Sequence, residues 1–216
     1  MEMKEIFGIL SCLFLILAGI VYGFKFVKHR KNYLLGFEWL IVAFSATNLL
    51  IFLFTGWKVN YSISFFLDAF SRGFGIPIVA VLGLMAVSHN FKPSVFKDLV
   101  IFGITFASTF VLVLADFVQG PLPYFYLIMW SCYTLYLVYF TWQLLRAEES
   151  FQALLTALGA AAGLAIAVVY DFFPIPGDDD KMLFMIFALT TWGYTLIQLY
   201  YAYGALARAK AAPAAR

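Results

Sequence analysis

Asp68 and Arg72 stand four residues apart within Asn60–His89, a run otherwise apolar and long enough to cross a bilayer. That spacing puts carboxylate and guanidinium on one face of a helix, within reach of each other. An ionisable side chain at membrane depth costs roughly 2.5–3.5 kcal/mol on insertion scales, so it is expected to face protein or water and to have a partner. Such a pair can fix a helix contact, or it can meet the charge of a small solute near the bilayer midplane. Gly73, Gly75 and Pro77 follow at once, where a spanning helix bends or lets a neighbour approach.

At ~1.5 Å of rise per residue, Arg72 lies near the midplane and Asp68 one turn nearer the outer face. Asn48, Thr109, Ser131, Thr134, Thr190 and Thr191 reach similar depth from other apolar runs, with Trp130 beside Ser131. Facing inward, they would give the bundle a polar centre and a ligand or transport pathway. The plainer alternative has each hydroxyl bonding back to its own helix. A second group of acids, Asp116, Asp171, Asp178, Asp179 and Asp180, collects in the segments expected outside. These could attract cations at a vestibule, or they could be a solvated acidic loop that helps set orientation. Glu38 is expected about one turn inside the inner interface, free to snorkel or pair with basic residues.

The elements that position these residues follow from composition. Hydrophobic residues make up 64% of the 216 and charged residues 12%, which excludes an ordinary soluble domain. Seven apolar runs approach the ~20 residues a spanning helix needs: Ile6–Phe24, Tyr33–Phe54, Asn60–His89, a fourth from a Ser94 cap to Val118, Tyr124–Leu145, Phe151–Phe172 and Met182–Leu206. They do not alternate as β-barrel strands would. The expected fold is all-α, one seven-helix membrane domain over residues 1–206 with a short, basic, disordered tail over 207–216. The first run has no small-residue cleavage site before its basic flank and reads as a retained span.

Charge sets the expected orientation. Lys25, Lys28, Arg30, Lys31, Lys92, Lys97, Arg146, Arg208, Lys210 and Arg216 fall in alternate connections and the tail, against Lys4, Lys58 and Lys181 in the others. By the positive-inside rule the N-terminus is outside and the C-terminus cytoplasmic, in a membrane of the bacterial inner (plasma) type. Gly19 with Gly23 and Gly159 with Gly163 mark close helix contacts. Cys12 and Cys132 fall within runs and are expected to be reduced and packed. An offset of 120 residues matches Ser11-Cys12 with Ser131-Cys132 and Gly73 with Gly193, a weak 3+1+3 parallel repeat of the kind transporters use.

Several functions are excluded. A retinal protein needs a lysine in the last span, and Met182–Leu206 has none. Seven-span metal hydrolases need several histidines; only His29 and His89 are present, so no metal site and no cofactor are expected. The Pro-Gln loop motif of SWEET-type sugar transporters is absent. With no nucleophile–base pair in view, an enzyme ranks below a small-solute transporter or channel-like carrier. The rival is a non-transporting sensor or an accessory subunit of a membrane complex. Expected partners are lipid, a small solute or ligand, and a second copy or another membrane subunit, but not nucleic acid.

Overall fold

The computed structural model describes residues 3–211. Seven long helices follow one another: α1 (Met3–Arg30), α2 (Tyr33–Thr55), α3 (Lys58–Ser88), α4 (Val95–Leu114), α5 (Leu122–Arg146), α6 (Ser150–Phe172) and α7 (Met182–Ala211). A single turn, Asp116–Gln119, interrupts the α4–α5 connection. All but α5 are long and apolar enough to cross a membrane, so the chain is a polytopic integral membrane protein by helix length and hydropathy. α5 has the length, at 25 residues. Its many tyrosines, among them Tyr124, Tyr126, Tyr133, Tyr136 and Tyr139, dilute the apolar signal.

Contacts at the two ends show that the helices run up and down. Lys4 of α1 lies 4.0 Å from Asp180 before α7. At the opposite end Lys210 of α7 reaches the carbonyls of Val87 and Ser88 at 2.9 and 2.8 Å and Gln143 of α5 at 3.0 Å. Those carbonyls belong to the last turn of α3, where a cation complements the helix dipole. The α1–α2 contact is close because Gly19 lets it be: a Cβ there would lie 2.6 Å from the Trp39 carbonyl. Gly159 faces Tyr194 of α7 and Gly163 faces Trp130 of α5, so both small-residue pairs are packing surfaces.

α3 is the central helix. Of its most apolar stretch 61% is buried within the protein, against 17–39% in the other apolar helices. Its middle, Ser71–Ala80, is wound as π-helix. Pro77 lacks the N–H that an α-helix would use there, and its ring crowds the preceding turn. The wider winding accommodates that, and such widened turns recur at functional sites. Arg72 sits at the start of this segment.

Three expectations are corrected. The basic stretch after the first apolar run is not a loop: helix continues to Arg30 through a π turn and ends at Lys31, whose N–H bonds to the Phe26 carbonyl. Burial of Phe26 against Trp39, Tyr200 and Tyr203 is the reason. Of the cysteines, both free, Cys12 is buried but Cys132 lies on an exposed face, because α5 turns its Tyr126, Trp130 and Tyr133 inward instead. The last helix runs on to Ala211, so the beginning of the expected tail is helical; its remainder, 212–216, lies outside the described residues.

Candidate functional site

Arg72 joins α3 to the end of α6. Its Nη2 donates to Asp171 Oδ2 at 2.5 Å, while Nη1 stands 3.9 Å from Asp68 Oδ2. The guanidinium is sandwiched between Tyr170, 3.7 Å from its ring centroid, and Tyr126 of α5 at 4.1 Å. A planar cation between two ring faces, hydrogen-bonded at its edge, is an arrangement that arginine and not lysine can fill. The expected Asp68–Arg72 pair is therefore present as the looser of two. The closer partner, Asp171, was grouped by sequence with the outer acids. Nothing short of tertiary structure joins residues 72 and 171, although an acid beside Tyr170 in the last turn of an apolar helix is a signal that it faces protein. Counted formally, one guanidinium faces two carboxylates, an excess of one negative charge.

That excess borders a cavity of about 650 Å³ between α1, α2, α3, the end of α6, the α6–α7 loop and α7. This lies within the usual size range of small-molecule sites, and its mix of apolar wall and few polar groups is typical of them. Asp68 and Ser71 of α3 line it with Ser45 and Ser64; Phe52, Tyr61, Tyr170 and Trp192 supply aromatic wall. Asp68 keeps a quarter of its side chain exposed, whereas Arg72 is almost wholly enclosed. The carboxyl group of Asp68, not the guanidinium, faces the cavity.

The remaining candidates divide. Asp178, Asp179 and Asp180 stand among the cavity's lining residues. Asp178 accepts the N–H groups of Leu183 and Phe184, both at 2.8 Å, and Asp180 that of Met182 at 3.1 Å, so these two tie down the start of α7. Asp116 is exposed and away from the cavity lining. Asn48 accepts from Asn60 at 2.8 Å, pinning α2 to α3. Thr109, Ser131 and Thr134 bond to carbonyls of their own helices at 3.1, 2.7 and 2.9 Å. Trp130 stacks on Trp192 with 6.0 Å between centroids, behind the cavity wall. Thr190 is exposed and Thr191 half-buried. Glu38 does not reach the basic end: it is completely buried against Gly75.

The Asp178 contacts carry a pH dependence. Burial pushes its carboxyl up, but the N–H groups of Phe184 and Leu183, helped by Asp180 and Lys4, outweigh that and hold it below the ordinary carboxylate range. A depressed acid contributes stability above its ordinary pKa and loses it as pH falls through the depressed value. Asp178→Asn should therefore lower the thermal midpoint at neutral pH. The gap from wild type should close as the solution is acidified through the carboxylate range. A gap that stays constant with pH in detergent melts would show that this carboxylate does not hold α7.

No protein-family model, curated protein or solved structure matches this chain.

Proposed function

We propose that the protein is a small-solute carrier, with seven spans, its N-terminus outside and its C-terminus cytoplasmic, and that its solute bears a positive charge on a compact, partly apolar body. The carrying observation is the position of Asp68. It borders a cavity of about 650 Å³ with aromatic walls, while the nearest guanidinium is bonded more closely to Asp171. An incompletely neutralised carboxylate beside aromatic faces favours a cation. The distribution of charge supports the orientation: Lys25, Lys28, Arg30, Arg208 and Lys210 gather at one end, and Asp178–Asp180 at the cavity's end.

Purified protein in liposomes should move small organic amines in preference to anions of the same size. Asp68→Asn should abolish that flux while the protein still inserts and melts cooperatively. Undiminished flux in Asp68→Asn, or preference for the anions, would remove the carboxylate from the path. A second reading, an accessory subunit or sensor, draws on α4, which is only 17% buried along its most apolar stretch and exposes Phe96, Leu99, Ile104 and Leu114. That reading predicts no flux for any solute and a partner subunit that co-purifies through α4.

A further inference from the structure

Glu38 of α2 takes no part in the cluster around Arg72, yet it is the most deeply enclosed acid in the described chain, with no exposed surface. Its carboxylate fills the space that a side chain at position 75 would occupy, directly against Gly75 in the π segment of α3. Neither oxygen has a hydrogen-bond donor among the described residues. The Ser71 hydroxyl, about one turn before Gly75 on α3, is likewise buried with no hydrogen-bond partner among the described residues. Among the described residues Glu38 makes no salt bridge; Asp68 and Arg72, on the same helix as Ser71, are engaged with one another and Arg72 with Asp171.

We propose that Glu38 is a membrane-buried proton-binding site that exchanges its proton with the cavity through Ser71. The geometry supports this in three steps. A carboxylate anion enclosed in apolar surroundings with no donor and no counter-ion is strongly disfavoured, and the group takes a proton instead. A divalent metal ion finds little here: among the described residues no group of three or more His, Cys, Asp or Glu side chains gathers at Glu38 or elsewhere. The route to water is short. Ser71, about one turn before Gly75 on α3, lines the cavity, and so does Val42, one turn along α2 from Glu38. A hydroxyl can accept a proton from one side while donating to the other. The site stands whether or not any solute crosses. In a carrier it would bind the coupling ion.

Infrared spectroscopy of the protein in liposomes tests this without a solute. Wild type should show a protonated-carboxyl carbonyl band at neutral pH that Glu38→Gln removes. The band should shift on transfer to heavy water, and Ser71→Ala should slow that shift about tenfold or more, the effect of about 1.4 kcal/mol on the exchange barrier. An apolar carbodiimide provides a second readout on wild type alone. The carboxyl O–H adds across its C=N bond, the proton passing to nitrogen and the oxygen to carbon, and the adduct rearranges to a stable acylurea with nothing lost. Peptide mass spectrometry should find that adduct on Glu38, declining as pH rises. A spectrum unchanged in Glu38→Gln together with an unlabelled Glu38 peptide would show an ionised carboxylate and overturn the site. Equal exchange rates in wild type and Ser71→Ala would overturn the route.

Discussion

Arg72→Ala should lower the unfolding free energy by about 3–5 kcal/mol, the usual result of removing one partner from a buried ion pair and leaving the other charge uncompensated. The charge left behind is chiefly that of Asp171, 2.5 Å from the guanidinium, and only secondarily that of Asp68 at 3.9 Å. This ordering makes a pointed test. Asp171→Asn in the Arg72→Gln background should recover much of the loss. Asp68→Asn in the same background should recover little, since Asp68 faces the cavity and keeps a quarter of its side chain exposed. Arg72→Lys should not substitute either: it keeps the charge but forfeits the stacking between Tyr126 and Tyr170, worth roughly 0.5–2 kcal/mol. Thermal melts of the five variants in one detergent suffice. Equal recovery by the two asparagine substitutions would mean that Asp171 is not the principal partner.

Trp39→Ala should be the most damaging apolar truncation, at about 3–5 kcal/mol. Trp39 is fully buried and packs edge-on to Phe26 with 5.6 Å between ring centroids. Its Nε1 donates across the bundle to the Leu196 carbonyl of α7 at 3.0 Å. One side chain of α2 thus ties the end of α1 to α7. Trp39→Phe keeps most of the packing and gives up the hydrogen bond, which puts its cost nearer 1 kcal/mol. Denaturant unfolding in mixed micelles separates the two. A Trp39→Ala protein within about 1 kcal/mol of wild type would mean that the site collapses to fill the void.

Sequence reading located the helices well and their rotations poorly, for a physical reason. Hydropathy and punctuation mark where a chain enters and leaves the apolar phase, so α2 and α7 begin at Tyr33 and Met182 as expected. What a helix turns toward its neighbours is set by packing, and in a chain this apolar every face can pass for a buried one. Asp171 and Tyr170 were therefore placed in the right helix and missed as ligands of Arg72. Glu38 was read as reaching toward the basic end because nothing in sequence shows that Gly75 lies opposite it. The hydroxyl residues show the same ambiguity: Thr109, Ser131 and Thr134 had the right depth for a polar centre, and their oxygens bond within their own helices. A repeat relating α1–α3 to α5–α7 was suggested by matched residues such as Gly73 and Gly193. The π segment of α3 has no counterpart in α7, which is α-helical throughout.

The grip of Lys210 on the last turn of α3 has a consequence for how the protein is made. Helices of a nascent membrane protein leave the ribosome in order, and α3 is complete long before α7 exists. Until residue 210 has been synthesised, the carbonyls of Val87 and Ser88 lack the cation that holds them, and the cavity lacks the wall that Met185, Leu189 and Trp192 provide. The central helix waits half-housed, with Asp68 and Arg72 already made and Asp171 still to come. During that interval Asp68, on the same helix, is the ion-pair partner of Arg72 already made. The looser bond of the finished protein is thus the tighter need of the unfinished one.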